Sequence, residues 1–176
     1  MSCRKDFNIA EDLYLSSFPK EERRSLESIY KLLEEDIFEF VPIFFKKDIK
    51  GFANLWFFKD FTYIEHLAIT PKERNRGYGT EFLKKLINND ITFVKQRIEN
   101  IVLEVELPAN PIAQRRISFY ERLGFRPLED YYFQPPYEKD GEGVEMKIML
   151  FSADKENNIS FKHIKETLYK NVYNAE

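Results

Sequence analysis

Gly77 and Gly79 lie in the stretch Arg74-Asn75-Arg76-Gly77-Tyr78-Gly79-Thr80, which brings two arginines and a threonine beside them. An apolar, strand-like run leads into it, Tyr63-Ile64-Glu65-His66-Leu67-Ala68-Ile69. A helix-like run leads out, Glu81-Phe82-Leu83-Lys84-Lys85-Leu86-Ile87. Glycine lets the backbone turn sharply with its N–H groups pointing inward. The helix that follows aims its positive end at the same spot. Together with Arg74 and Arg76, the segment is equipped to hold a polyphosphate. The lysine-bearing nucleotide loop, GxxxxGK followed by Ser or Thr, is absent. No glycine stands at Phe82, where the dinucleotide fingerprint requires one.

The elements that must position this turn are legible from local pattern. Residues 37–45, 49–58 and 61–69 are rich in aromatic and β-branched residues and read as strands. Lys46-Lys47-Asp48 and Lys59-Asp60 separate them with short polar breaks that suit hairpins, so the three are expected to be antiparallel. A short helix is expected from Asp12 to about Phe18, and a second opens at Pro19 with Leu26, Ile29, Tyr30 and Leu33 on one face. After the glycine turn, Phe82, Leu83, Leu86, Ile87, Ile91 and Val94 make a helical stripe. A strand at 101–105 and a helix from Pro111 follow, the helix closed by Gly124 as a left-handed cap. Two further strands are expected, about 125–133 and 143–151, and then a helical tail over about 160–173.

Composition bounds the partners. The 176 residues suit a single domain spanning the chain, with no repeat or linker to divide it. A net charge of −3 argues against a nucleic-acid partner. The one cysteine, Cys3, excludes an internal disulfide and is too isolated to suggest a metal site. No apolar run reaches the roughly 20 residues that span a bilayer, and the N-terminus lacks the apolar region of a signal peptide, so a cytoplasmic protein is expected. The tail's stripe, Phe161, Ile164, Leu168 and Val172, has two uses, packing on its own domain or forming a homodimer.

Leu67-Ala68-Ile69 through Arg74-Asn75-Arg76-Gly77-Tyr78-Gly79, with Leu103-Glu104-Val105 and Tyr120-Glu121-Arg122-Leu123-Gly124-Phe125 at a distance, resembles the GCN5-related N-acetyltransferase (GNAT) family over about residues 25 to 151. The resemblance implies an α/β (α+β) fold, a mixed, mostly antiparallel central sheet of about six to seven strands flanked by helices. It implies acetyl-CoA as acyl donor, no metal, and an amine acceptor. The pantetheine arm would enter where two parallel strands splay, pairing with backbone of Leu67 and Ile69. The N–H groups of Arg76, Gly77, Gly79 and Thr80 would hold the pyrophosphate, with Arg74 and Tyr78 completing the cofactor-binding set. The asparagine that many members place seven residues before the motif tyrosine is Ala113 here, and Asn110 lies upstream of it. The Arg115-Arg116 pair is open to either the phosphates or solvent.

Acetyl transfer to an amine needs a neutral nucleophile, a stabilised carbonyl oxygen and a departing thiolate. Tyr120 stands at the family's general-acid position and is the candidate proton donor. For the base there are two carboxylates in apolar strands, Glu65 and Glu104, whose burial would raise their pKa; a water chain is the third option. Strict alternation puts Glu65 on one face with Leu67 and Ile69 and His66 on the other, and puts Glu104 with Val102. The aromatic segment Tyr131 to Tyr137 could wall the acceptor site or stack on a cation. The acidic residues favour a cationic amine, either a small polyamine-like molecule or an amino group of a protein or peptide. The alternative to an N-acetyltransferase is a non-catalytic acyl-CoA-binding or sensing module of the same fold.

Overall fold

A computed structural model of the chain describes residues 2–91, 97–138, 141–154 and 159–175. Its strands are β1 (Phe38–Phe45), β2 (Asp48–Phe57), β3 (Thr62–Ile69), β4 (Asn100–Glu106), β5 (Arg126–Pro127), β6 (Tyr132–Gln134) and β7 (Val144–Ser152). They form one seven-stranded sheet in the order β1-β2-β3-β4-β7-β5, with β6 also paired to β7. Among the described strands only β3 and β4 run parallel; every other pair is antiparallel, as the hairpin breaks predict for β1 to β3. The helices are α1 (Ser2–Ser17), α2 (Leu26–Leu32), α3 (Tyr78–Ile87), α4 (Pro111–Glu121) and α5 (Phe161–Leu168). A π-turn, Tyr169–Tyr173, continues α5. None of the described helices is long and apolar enough to cross a membrane.

The sheet carries a core on each face. On one, Phe7, Ala10 and Tyr14 of α1 and Ile164, Leu168 and Val172 of the tail pack over Phe40, Phe52, Trp56, Val102 and Ile148. The tail's apolar stripe is therefore used within its own chain. On the other face, Phe82, Leu83 and Leu86 of α3 and Tyr120 of α4 cover Val41, Leu55, Ile64, Leu103 and Met149.

Some boundaries differ from local expectation. α1 begins at Ser2 rather than Asp12, because Phe7, Ala10 and Tyr14 make a helical stripe amid charged residues. Pro19 opens only a 3-10 turn, Lys20–Glu22; α2 starts later, where the Ser25 side chain accepts from the Ser28 N–H. α3 stops at Ile87, and Val94 lies outside the described residues. The strand expected over 125–133 is two short pieces: the Leu128 N–H still bonds Ile148, then exposed Glu129 to Tyr131 leave the ladder before β6.

Two irregularities in β3 shape the site. Asn54 pairs with His66 but Leu55 pairs with Ile64, so Glu65 is an extra residue, a β-bulge. The bulge breaks the alternation: His66 turns to the same face as Glu65, with Nδ1 3.8 Å from Oε2, while Leu67 packs on the opposite face. The parallel pairing of β3 with β4 lasts only from Thr62–Ile101 to Ile64–Leu103. Beyond it the strands part, and Glu65 and Glu104 are the first residues past the fork.

Candidate active site

The fork opens into a cavity of about 740 Å³ that is lined from both faces of the sheet. One half is the glycine turn. Arg74, Asn75, Gly77, Tyr78, Gly79 and Thr80 line it, with Leu67 and Ile69 of β3 alongside. Gly77 is the N-cap of α3 at φ 87, and no side chain caps the helix there. A Cβ at Gly77 would meet nothing within 4 Å, so the left-handed backbone, not space, calls for glycine. A Cβ at Gly79 would rest 3.6 Å from Phe119 Cζ and 3.7 Å from Ile69 Cγ1. Uncapped first-turn N–H groups beside a cavity fit a phosphate group.

The arginines divide. Arg74 lines the cavity, but its Nε donates to the Ile69 carbonyl at 3.1 Å, engaging one of the backbone groups expected to meet the cofactor arm. Arg76 is exposed, donates to Glu73 at 2.9 Å and is not among the lining residues. Asn110 caps α4, accepting from the N–H groups of Ile112 and Ala113 at 2.9 Å each. Arg116 pairs with Glu106 at 3.1 Å. Arg115 and Arg122 line the same cavity; Arg122, inside the motif itself, was not singled out by sequence.

Tyr120 lies between Phe119 and Phe125, with ring centroids 5.1 and 5.6 Å away. It lines the cavity, and its hydroxyl has no protein partner among the described residues. Burial pushes its phenol up to about 12, against a smaller opposing pull from Arg116. It stays protonated at neutral pH.

The other half contains both carboxylates, in contrasting settings. The Glu65 side chain is fully enclosed; Oε1 accepts from Arg24 Nε at 2.7 Å and Oε2 from Trp56 Nε1 at 3.0 Å. Burial pushes its carboxyl upward, but Arg24 and these hydrogen bonds outweigh that and hold it below the usual range. Burial by itself predicts the opposite direction. Glu104 has no cation beside it among the described residues. It accepts from Tyr63 at 2.8 Å and Tyr173 at 2.6 Å on Oε2, and from Tyr132 on Oε1. Burial raises it to about 7, the three tyrosine bonds opposing and the nearby Glu65 adding to the rise. A carboxyl titrating near 7 is matched to proton transfer at neutral pH.

Two neighbours were not foreseen. Arg24, only 6% exposed, is held by Glu65, by the Val172 carbonyl, and by the faces of Tyr137 and Trp56 at 4.8 and 5.4 Å. The cation that the aromatic segment stacks on is thus the chain's own. Beside the sequence's many exposed basic residues, nothing marks Arg24 as buried. Gln134 is 2% exposed, lines the cavity and leaves Oε1 without a partner among the described residues. His66 is buried, with Nδ1 at 3.3 Å from Asn54 and Nε2 at 3.0 Å from the Glu22 carbonyl; burial lowers its pKa, so it is a neutral structural imidazole.

The model of the acetyltransferase (GNAT) family matches residues 7–125. No curated protein matches the sequence. Among solved structures, a GNAT-family protein from Bacteroides thetaiotaomicron is 36% identical with a TM-score of 0.85, over 99% of this chain and 96% of that one. A GNAT acetyltransferase from Elizabethkingia anophelis with acetyl-CoA bound is 21% identical with a TM-score of 0.51, covering 73% and 83%. Spermidine N-acetyltransferase from Vibrio cholerae, in complex with CoA and spermine, is 17% identical with a TM-score of 0.54, covering 77% and 80%. The last two are similar in fold alone.

Proposed function

Since this chain belongs to the acetyltransferase (GNAT) family, we propose that it transfers the acetyl group of acetyl-CoA to a primary amine by direct attack, with Glu104 as general base and Tyr120 as general acid. The observation that carries this reading is the pairing, in one cavity, of a carboxyl poised near 7 with a neutral phenol whose hydroxyl lacks a protein partner among the described residues. The donor's phosphates would be held by the N–H groups from Arg76 to Thr80 and by Arg74, the thioester end reaching the fork past Leu67 and Ile69. Acetyl-CoA supplies an activated acetyl thioester. The amine, having lost its charge-bearing proton to water, bonds the acetyl carbon through its nitrogen as the carbon–sulfur bond breaks, and Glu104 takes the proton which that nitrogen then sheds. The Tyr120 hydroxyl gives its proton to the departing sulfur and regains one from solvent.

Glu65 is the poorer base, because Arg24 stabilises its anion and lowers its proton affinity. With that charge matched, attraction of a cationic amine rests on Glu104 and on Glu22, a half-buried carboxylate of the same cavity. The Gln134 oxygen, unpartnered among the described residues, offers a contact for a hydrogen-bond donor on the acceptor. Release of free thiol from acetyl-CoA across a panel of polyamines, small amines and peptides tests the reading. Turnover with an amine supports it; a protein that binds acetyl-CoA yet turns over no acceptor is a sensing module instead.

Two substitutions probe the donor side. Gly79→Val adds branches where only a Cβ fits, and CoA affinity by calorimetry should fall at least about tenfold, or about 1.4 kcal/mol. An unchanged affinity in the folded variant would move the phosphates elsewhere. Tyr120→Phe should lower kcat by less than the roughly 10²-fold at the low end of general-acid effects, because a thiol is already a fair leaving group. Steady-state kinetics reads this directly, and an unchanged kcat removes Tyr120 from the proton path.

A further inference from the structure

The family match ends at residue 125, yet two of the three hydroxyls on Glu104 come from later in the chain, Tyr132 and Tyr173. We propose that Tyr173, carried by the C-terminal π-turn, is a positioning residue for the reaction: with Tyr63 and Tyr132 it orients Glu104 and stabilises its carboxylate form. This deepens the reading of Glu104 as the base and rests on it.

The geometry is a convergence of three separate elements on one carboxyl. Tyr63 comes from β3, Tyr132 from β6 and Tyr173 from the tail. The Tyr63 and Tyr173 hydroxyls are also 3.1 Å apart while sharing Oε2, so the two phenols brace each other. Hydrogen bonds to an ionised acceptor are the strong ones, and they favour the charged form. Burial raises the pKa of all three tyrosines, which keeps them protonated and able to donate.

The tail is built to deliver this hydroxyl. An i→i+5 turn admits an extra residue, and here the adjacent Val172 and Tyr173 are both buried. The turn closes with Asn174 at φ 50 and the Ala175 N–H bonding the Tyr169 carbonyl at 2.8 Å. The Tyr169 hydroxyl ties the same turn to the Phe133 carbonyl in β6, and Arg24 reaches the Val172 carbonyl. The charged and titratable groups around Glu104 are thus Glu65 on β3, with Arg24 matching its charge, Tyr137 after β6, and Tyr169 in the tail, besides the three donors.

The test is the titration of the Glu104 carboxyl carbon by NMR in protein labelled at glutamate Cδ, its signal assigned by its loss in Glu104→Gln. In Tyr173→Phe, which keeps the packed ring, the midpoint should rise by about one pH unit. The acid limb of the kcat/KM profile should rise with it, while the high-pH plateau stays near wild type. A structural role alone would lower the whole profile without moving the limb. An unmoved midpoint overturns the proposal, and Tyr132→Phe decides in the same way should Tyr173→Phe not fold. A midpoint that moves while the limb stays put means that Glu104 is not the base; that result sinks the role in the reaction while leaving the hydrogen bonds intact.

Discussion

Glu104→Gln is expected to lower kcat/KM for acetyl transfer by about 10²- to 10⁴-fold, the range for loss of a positioned general base. CoA affinity should be retained, because the glycine turn lies on the other half of the cavity. Below about pH 7 the wild-type carboxyl is protonated and cannot take a proton, so activity should rise through that value and level off. The same group has a signature in stability. Its pKa is raised on folding from the ordinary 4.5 to about 7, so the folded state holds the proton more tightly. Stability from this group is present below about 4.5 and is lost as pH climbs through about 7. The glutamine variant removes that loss. Its melting temperature relative to wild type should be more favourable at pH 8 than at pH 4. Wild-type turnover in Glu104→Gln would end the case for this base.

Arg24→Ala is expected to cost about 3–5 kcal/mol of folding stability, measured by urea denaturation at neutral pH. It removes the cation from an enclosed carboxylate, since the Glu65 side chain is 0% exposed and the Arg24 side chain 7%. It also strips the Val172 carbonyl and two aromatic faces of their partner. Glu65→Gln in that background should recover part of the loss, because the isolated charge is then gone. The pH dependence has the opposite sign to that of Glu104. The lowered Glu65 pKa contributes stability above the ordinary carboxylate range that fades as pH falls, and Arg24→Ala should abolish this acid-side dependence. A loss below about 1 kcal/mol, as for an exposed pair, would show that the pair contributes little to the fold.

Much of the framework is written in short-range pattern. The hairpins from β1 to β3 follow from polar breaks between aromatic and β-branched runs. The turn at Gly77 follows from glycine's access to φ 87, and the Tyr120 to Phe125 motif from a helix ending at a left-handed Gly124. These are properties of neighbouring residues, and neighbours are visible in a sequence. The start of α1 was obscured because charged residues surround its stripe. The break before β6 was missed because apolar content alone does not report where a ladder hydrogen bond is lost.

What tertiary structure decided is which groups meet. The bulge at Glu65 is a matter of register between β2 and β3, and it turned His66 to the face that strict alternation denied it. Glu65 and Glu104 look alike in sequence, each a lone acid in an apolar strand. Burial acts on both in the same direction, yet Arg24 lowers one and three tyrosines leave the other near 7. Tyr173 lies 69 residues from Glu104, and nothing in its spacing foretells the contact. The sequence by itself determined the family, the glycine turn and the list of candidate acids and bases. Their proton affinities depend on the charge and hydrogen-bond donors within a few ångströms, and only the folded chain brings those together.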